Sequence, residues 1–525
     1  MEHYLPEIFW HDRQGLLSVD FQRGSGIKDG HYKIVTTSMQ KEVRIWEFVF
    51  EKVSREGERD ALAVNFVANI TGHQSAVNVA RFSPSGDFLA SADSGGTVFI
   101  WKLSLDLPPQ TVVSDNVDDF PPNKENWVRL RAPLRHDSDV SAVCWSNDSL
   151  YLASVSNDES IVVQNVRTGS RLWTIRSFRR FPNGVVWDPR GKYVVTMSTD
   201  RRLDILDAAK GGRLRCFHSV DFDTKQVSEK LTLKGIYKLF HDDQLMSFMR
   251  GADFSPDGEL LIAPCGHLEI QDSNVYGTYV FRRRDFDKDC PAAFLKSRKP
   301  TFRAACSPVI FELRSDVEGN ALGLPYRVVW AVLTLDAIIF YDSQSHLPFS
   351  YIDGIHYNNL SDAAWSSDGK VLLVSSLEGY CSFIRFDLNH IGTVTKFSMF
   401  ECPPSPVLKV PKKPPKRSLK VSAKTPETPN VSEQEVSLNT SLSKGAVKQR
   451  PKPVNLISKY FKKSPTSVAS PINKEPDPDV ACLDGLQPQD DLKPMAGKTD
   501  ISLGPKPLKQ KRRVQLESVP IIELD

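Results

Sequence analysis

The sequence predicts an all-β fold: a seven-bladed β-propeller over residues 1–390, followed by a long disordered C-terminal tail over residues 391–525. Three observations support this prediction. A pattern of short strands and polar turns recurs seven times before residue 390. No tryptophan occurs after residue 400, where 19 of the 35 prolines lie. The charge also divides there, since residues 401–525 contain 22 Lys and Arg against 14 Asp and Glu, and residues 1–400 contain 45 against 50.

Each copy of the pattern begins with an apolar strand, turns at Ser-Pro-x-Gly or a variant, and closes on Trp-Asp or a related pair. The clearest copy is residues 72–103, which closes on Trp101. The others are residues 11–48, 136–166, 181–208, 250–282, 303–342 and 356–387. Period-2 alternation builds half-buried strands, and four short strands bury both faces only when blades stack into a ring. The pattern is typical of WD40 repeats and predicts seven blades in this order.

A ring needs a closing strand. We expect the N-terminal stretch Tyr4–Trp10 to pair as the outer strand of the last blade, whose inner strands come from residues 361–387. The ring would then bury one continuous core.

Side chains that fix each blade internally are also predicted. In a WD repeat an Asp lies six residues before the closing Trp, caps a turn and bonds the His of a Gly-His pair. Gln40 and Gly95 replace this Asp in the first two copies. A His–Asp–Ser set also occurs in hydrolases, but we interpret the sets here as structural hydrogen-bond networks. The predicted structural residues are Trp46, His73, Trp101, His136, Asp158 and Asp200.

Several blades are longer than the ~40–45 residues of a minimal blade. The extra chain lies at about 49–68, 104–130, 212–248 and 283–302. The stretch 112–126 is acidic, and the stretch 221–244 has mixed charge with helical or hairpin character. These insertions are either tolerated surface loops or partner contacts.

Composition limits the class of protein. The eight cysteines are scattered without a C-x-x-C pair, which favours a reduced compartment over a disulfide framework or a zinc site. The N-terminus has no apolar signal core, and no run reaches the ~18 apolar residues that a membrane span needs. We therefore expect a soluble intracellular protein with no membrane contact. An acidic body suits basic partners, and a basic tail suits acidic ones.

Four longer stretches resemble one family, the B-subunit family of chromatin assembly factor 1, whose members are the propeller subunits of a replication-coupled histone chaperone. They are EIFWHDRQGLLSVDFQ (7–22), LFHDDQLMSFMRGADFSPDGELLIAPCG (239–266), LPYRVVWAVLTLDAIIFYDSQ (324–344) and IHYNNLSDAAWSSDGKVLLVSSLEGYCSFI (355–384). The resemblance implies a nuclear, non-catalytic subunit that helps deposit new core histones on replicating DNA. It also implies a large partner subunit, a smaller histone-binding WD subunit, and histones bound directly or through the complex.

The tail contains a short motif at its C-terminal end. Arg512 and Arg513 precede Val514 and Leu516, an arrangement that suits β-strand addition to an acidic-edged sheet. It is similar to the Arg-Arg-aliphatic-x-Leu motif by which the family binds the anti-silencing-function histone chaperone. The resemblance implies that the two arginines contact acidic groups and that Val514 and Leu516 enter the groove. The downstream residues depart from the motif, and a nuclear-import signal alone is the alternative.

A second apolar cluster combines Ile457 with Tyr460 and Phe461. An aliphatic residue three positions before an aromatic pair is similar to the one-turn helix that binds the sliding clamp. Val454 stands where that motif needs a glutamine, so a generic apolar docking segment is the alternative.

Basic runs in the tail indicate nuclear import, with weak DNA attraction as a minor addition. Their residues are Lys412, Lys413, Lys416, Arg417, Lys509, Lys511, Arg512 and Arg513. Serines and threonines that precede proline are candidate phosphorylation sites, where added negative charge would weaken the basic character of the tail. They are Ser405, Thr425, Thr428, Ser464 and Ser470.

The sequence therefore predicts a histone-chaperone scaffold, in which the propeller holds a complex and the tail recruits a histone donor. A replication-independent histone-chaperone propeller is the first alternative. A ubiquitin-ligase substrate receptor is a weaker one, because neither Trp46 nor Trp101 is followed by Asp-x-Arg. An enzyme is not expected, since the sequence has no Gly-rich phosphate loop, metal-ligand spacing or nucleophile elbow. No cofactor and no small-molecule ligand are expected.

Overall fold

A computed structural model describes residues 1–24, 30–52, 60–104, 121–228, 231–245, 247–270, 273–317, 319–395, 408 and 522–523. Its strands form seven antiparallel sheets of four or five strands, which are the blades of a propeller. We number the blades 1 to 7 in chain order, starting with the sheet that begins at Leu16. The prediction of a seven-bladed propeller is confirmed.

The first three blades are contiguous in sequence. Before them lies β1 (Glu2–Tyr4). Blade 1 contains β2 (Leu16–Phe21), β3 (His31–Ser38), β4 (Val43–Glu51) and β5 (Ala61–Ile70). Blade 2 contains β6 (Val77–Phe82), β7 (Phe88–Asp93), β8 (Thr97–Ser104), β9 (Asn126–Arg129) and β10 (Leu134–Arg135). Blade 3 contains β11 (Val140–Trp145), β12 (Tyr151–Ser156), β13 (Ser160–Asn165) and β14 (Arg171–Ile175).

The remaining blades include one insertion hairpin. Blade 4 contains β15 (Pro182–Trp187), β16 (Tyr193–Ser198), β17 (Arg202–Asp207) and β18 (Arg213–Phe217). The hairpin β19 (Ser219–Ser228) and β20 (Leu231–Lys238) follows as a separate two-stranded sheet. Blade 5 contains β21 (Asp253–Phe254), β22 (Leu260–Ile270), β23 (Ser273–Arg282), a 3₁₀ turn (Arg283–Asp285) and β24 (Ala293–Ser297). Blade 6 contains β25 (Thr301–Phe311), β26 (Arg327–Thr334), β27 (Ala337–Asp342) and β28 (Ser350–Asp353). Blade 7 contains β29 (Leu360–Trp365), β30 (Val371–Ser376) and β31 (Cys381–Arg385).

The ring closes between the two ends of the propeller. β1 pairs antiparallel with β31 and forms the outer strand of blade 7. In this pairing His3 lies opposite Ile384 of β31. The stretch expected to do this, Tyr4–Trp10, contributes only Tyr4 to the strand. Pro6 has no N–H to donate, which disfavours continuation of the strand. Trp10 is instead fully buried beside Trp46, with ring centroids 5.0 Å apart.

The turns explain why the repeat recurs. In blade 2 the Ser83 hydroxyl accepts the backbone N–H of Phe88 at 3.1 Å, which closes the Ser-Pro-Ser-Gly turn. Gly86 in this turn has a φ of +80°, and a Cβ there would lie 1.9 Å from the carbonyl oxygen of Arg23. Only glycine fits this approach between the turn and blade 1. The inner strands β6 and β11 are almost wholly buried, which explains why each one is a mostly apolar run.

Two features follow or flank the blades. A one-turn helix, α1 (Leu388–Ile391), begins where the Asp387 side chain accepts the N–H of Asn389. A two-residue strand, β32 (Ile522–Glu523), pairs antiparallel with β24 on the outer edge of blade 5. The sequence pattern did not indicate this strand. No helix in the described part of the chain is long and apolar enough to cross a membrane.

Candidate functional site

The short motifs predicted after residue 400 lie outside the described residues. These are the histone-chaperone motif, the clamp-like cluster, the basic runs and the candidate phosphorylation sites. Their residues are Ser405, Lys412, Lys413, Lys416, Arg417, Thr425, Thr428, Ile457, Tyr460, Phe461, Ser464, Ser470, Lys509, Lys511, Arg512, Arg513, Val514 and Leu516. The candidate site within the described residues is therefore the ring itself, with the polar groups that hold its blades and line its centre.

Blade 2 contains the most complete polar set. His73 Nε2 lies 2.7 Å from the Ser91 hydroxyl, and the indole N–H of Trp101 donates to the same hydroxyl at 2.8 Å. His73 Nδ1 lies 2.7 Å from Asp93 Oδ2. The carboxylate thus comes from the end of β7, not from the expected position six residues before Trp101. Gly95 stands at that position without a side chain, and the other oxygen of Asp93 caps the turn by accepting its N–H at 3.0 Å.

Blade 3 repeats the set with one change. His136 Nε2 lies 2.8 Å from the Ser154 hydroxyl, and His136 Nδ1 lies 3.3 Å from Asp158 Oδ2. Burial opposes ionisation of Asp158, but hydrogen bonds from His136 and Ser160 hold its pKa well below the usual range. Gln164 closes this blade in place of a tryptophan, so the indole bond of blade 2 has no counterpart among the described contacts of Ser154.

Blade 1 carries a set that the sequence pattern did not reveal, because His11 precedes the first strand of the blade without a Gly-His pair. His11 Nε2 lies 3.0 Å from the Thr36 hydroxyl, which also accepts the indole N–H of Trp46 at 3.0 Å. Burial, with a contribution from the nearby Arg44 guanidinium, lowers the pKa of His11 to about 3.

Two other positions of the pattern have different partners. The Gln40 amide donates to Asp12 at 3.1 Å, so it supports the loop that carries His11. Asp200 accepts the hydroxyl of Ser198 and forms an ion pair with Arg202 at 3.2 Å. Its described partners are thus a hydroxyl and a guanidinium in place of a histidine.

Blade 7 contains a further set that includes the N-terminal strand. His356 Nε2 lies 2.9 Å from the Ser382 hydroxyl, and His356 Nδ1 contacts Glu378. His3 of β1 lies 2.9 Å from the same hydroxyl. The signal was present in the spacing, since 22 residues separate His356 from Glu378 as they separate His136 from its carboxylate. A glutamate in place of aspartate concealed it.

These sets can join strands and loops, but they are poorly arranged for hydrolysis. Each hydroxyl is bonded to the imidazole beside it, as a nucleophile would be, but Ser91, Ser154 and Thr36 are fully buried. A nucleophile must reach a substrate carbonyl. The arrangement favours the structural interpretation, in which each imidazole holds the chain that enters its blade.

The centre of the ring is lined by charged side chains from inner strands. The buried Asp362 of blade 7 accepts from Arg81 of blade 2 at 2.7 Å and from Arg303 of blade 6 at 3.0 Å. Arg81 and Arg303 line a central cavity of about 190 Å³ together with Asp20 and Asp253. Burial raises the pKa of these two carboxyl groups. The sequence could not indicate this network, because Arg81 and Asp362 are 281 residues apart. It links three blades across the closure of the ring.

The described cysteines are all free thiols. Burial raises the pKa of the Cys265 thiol to about 12, which disfavours the reactive thiolate at neutral pH. Within the described ranges, no group of three His, Cys, Asp or Glu side chains is placed to hold a metal ion.

Comparison with known proteins adds a family to this geometry. The model of the CAF1B/HIR1 β-propeller domain matches residues 1–391. The B-subunit of chromatin assembly factor 1 from Gallus gallus is 34% identical over 407 residues, which cover 74% of this chain and 68% of that protein. The protein of the same name from Saccharomyces cerevisiae is 31% identical over 436 residues, which cover 77% of this chain and 89% of that protein. The protein hir1 of Emericella nidulans is 27% identical over 366 residues, which cover 69% of this chain and 34% of that protein.

Proposed function

The chain belongs to the CAF1B/HIR1 β-propeller family, and from this membership we propose that it is the non-catalytic scaffold subunit of a histone chaperone complex in the nucleus. The complex deposits newly made core histones on replicating DNA. Its other members are a large subunit and a small histone-binding WD subunit. The ring over residues 1–390 holds the complex, and a motif within residues 391–525 recruits a histone donor.

The observation that carries this proposal is the extent of the match. It spans the whole ring, and the chromatin assembly factor 1 relatives share more identity and more of their length with this chain than the hir1 protein does. A replication-independent chaperone, the alternative within the family, is less well supported for the same reason. The partners that copurify with the chain distinguish the two.

The structural role of the polar sets supports the non-catalytic part of the proposal. In blade 2 the Ser91 hydroxyl is shared between His73 and Trp101, and all three side chains are buried. Satisfied buried networks make a scaffold rigid. Rigid rings present their loops and edges to partners, which is the usual function of propellers.

The recruiting motif of the proposal is Arg512, Arg513, Val514 and Leu516. An extended segment with two charges at one end and alternate apolar anchors can add a strand to a sheet of the anti-silencing-function histone chaperone. The cluster of Ile457, Tyr460 and Phe461 is proposed as a second docking segment, with the sliding clamp as its candidate partner.

A binding experiment tests the recruiting motif. Purified full-length chain with Arg512→Ala and Arg513→Ala should lose capture of the anti-silencing-function chaperone by at least tenfold and keep capture of the large subunit. The matched control is Lys412→Ala with Lys413→Ala, which removes the same charge from another basic run. Equal capture of the chaperone by the wild type and the Arg512/Arg513 variant would refute the motif. Failure of the wild-type chain to capture the large subunit would refute the scaffold proposal.

A further inference from the structure

A basic groove lies between blades 2 and 3. Its volume is about 570 Å³. Its lining includes Arg131, Arg135 and Arg171, the buried Leu134 and Gln164, and the half-buried Leu130. Among the described residues, no Asp or Glu lines it. The three arginines are exposed, and none of them forms an ion pair with a described residue. The groove therefore holds concentrated positive charge that the described part of the ring leaves unneutralised.

The groove exists because blade 3 lacks a closing tryptophan. In blade 2 the closing Trp101 is 3% exposed, contacts the ring of Phe99 and shares a core cluster with Phe82 and Trp127. In blade 3 the same position of the sheet is Gln164, which is a smaller side chain and lines the groove. A glutamine leaves open the space that an indole fills in the preceding blade.

The same exchange releases an arginine. Arg129 lies opposite Trp101 in the blade 2 sheet, and its guanidinium sits 4.0 Å from the ring of Phe99 and 5.7 Å from that of Trp101. Arg171 lies opposite Gln164 in the equivalent position. Gln164 has no aromatic ring on which the guanidinium of Arg171 could stack. The one described hydrogen bond of Arg171 runs to the backbone oxygen of Arg135 at 3.4 Å. A stacked arginine in blade 2 thus corresponds to an available one in blade 3.

We propose that this groove binds an acidic peptide segment of a partner protein. Arginine pairs with carboxylates through two parallel hydrogen bonds, and three arginines in one groove suit two or three Asp or Glu side chains. Leu130 and Leu134 also line the groove, where they offer apolar contact to an aliphatic side chain of the peptide. The carboxylates of the peptide would bind more strongly because no described acidic group in the lining competes with them for the arginines.

A peptide fits this surface better than a nucleic acid does. The groove is short, and the residues around it belong to a body with more acidic than basic side chains, 50 against 45 over residues 1–400. The net negative charge of that body opposes a long phosphate backbone more than it opposes a short acidic segment. The inference rests on blades 2 and 3 alone and does not depend on the chromatin role.

Fluorescence anisotropy with a defined probe tests the proposal. The probe is a fluorescein-labelled peptide of four Glu-Asp-Leu repeats, titrated with the full-length chain at low salt. Gln164→Trp should weaken binding at least tenfold, because the indole fills the groove without changing the charge. Ser154 can accept the indole N–H, as Ser91 does in blade 2, so this variant should keep its fold and its thermal midpoint. The double substitution Arg131→Glu with Arg171→Glu should weaken binding at least as much.

The control is Arg179→Glu, which changes the charge at an exposed residue outside the groove and should alter binding less than twofold. The basic segment after residue 400 adds the same background to every variant, so the differences between variants carry the result. Equal binding by the wild type and Gln164→Trp would overturn the proposal. Tighter binding of a twelve-nucleotide thymidine oligomer, with loss in the same two variants, would assign the groove to nucleic acid and also overturn it.

Discussion

Two arcs of the ring are held together by different chemistry. In blades 7, 1, 2 and 3, which we call the histidine arc, buried imidazoles bond hydroxyls of the blade that they enter, as His73 does with Ser91. In blades 4, 5 and 6, the arginine arc, the largest buried polar side chains are Arg250, Arg283 and Arg327, each about 1% exposed. The difference teaches that a blade with a degenerate repeat pattern can still be held firmly in place. Buried arginine contacts replace the histidine–hydroxyl contacts that such a blade lacks.

The arginine contacts join neighbouring blades, whereas the imidazole contacts mostly join parts of one blade. Arg283 of blade 5 donates to the backbone oxygen of Gly258 at 2.7 Å and pairs with the buried Asp188 of blade 4. Arg190 of blade 4 pairs with Glu259 of blade 5. These pairs link neighbouring blades, whereas most histidine sets act inside one blade. A buried charge is costly unless it is paired, so such pairs fix one relative placement of the blades.

Breaking an arginine link should give the largest effect. Arg283→Ala leaves Asp188 buried without its counter-ion, and we expect a loss of about 3–5 kcal/mol in the free energy of unfolding. Urea denaturation of the purified chain measures it. Arg282→Ala, which removes a partly exposed pair with Asp285, is the matched control and should cost less than about 1 kcal/mol. Equal losses in the two variants would mean that the buried pair is not special.

Lowering the pH should weaken the contribution that His11 makes to the histidine arc. The folded pKa of His11 is about 3, below its ordinary value of 6.5, because burial disfavours the charged ring. The unfolded chain therefore binds a proton that the folded chain does not bind between pH 6.5 and 3, so stability is full above pH 6.5 and falls as the pH decreases through this window. At pH 5 the loss is about 2 kcal/mol.

Comparison with His11→Gln isolates this contribution. The variant should lose about 2 kcal/mol less than the wild type between pH 7 and pH 5, whatever other groups titrate. Arginine keeps its charge across this range, so the arginine arc makes no matching contribution through its guanidinium groups. If the free energies of unfolding of the wild type and the variant fell in parallel between pH 7 and pH 5, the prediction would be wrong. The His11 imidazole would then be open to water in the folded chain.

The smallest effect separates two sets within the histidine arc. Ser91→Ala removes the hydroxyl that both His73 and Trp101 contact, whereas Ser154→Ala removes the one that His136 contacts. One additional unpaired indole N–H should make the first substitution more destabilising by about 1 kcal/mol. Denaturant midpoints of the two variants measure the difference. A larger loss for Ser154→Ala would mean that the indole bond adds nothing to blade 2.

Much of the ring was predictable because its signals are local. The Ser-Pro-Ser-Gly turn before Phe88 and the 22-residue spacing from His136 to Asp158 each depend on a few neighbouring residues. Offsets were less reliable than residue types, since blade 2 takes its carboxylate from Asp93. The exchange of tryptophan for Gln164 was visible in the sequence, but its consequence was not, because the groove also needs side chains from blade 2.

The sequence by itself determined the number and order of the blades, because alternating strands and turn residues act over short stretches of neighbouring positions. It also determined the division between a net acidic segment over residues 1–400 and a basic, proline-rich segment over residues 401–525. Only the tertiary structure decided which distant groups meet. Closing the ring brings Arg81 to Asp362 and Arg283 to Asp188, 281 and 95 residues apart. Such pairs leave no periodic trace in the sequence, since each depends on where two separate blades come to rest in the circle.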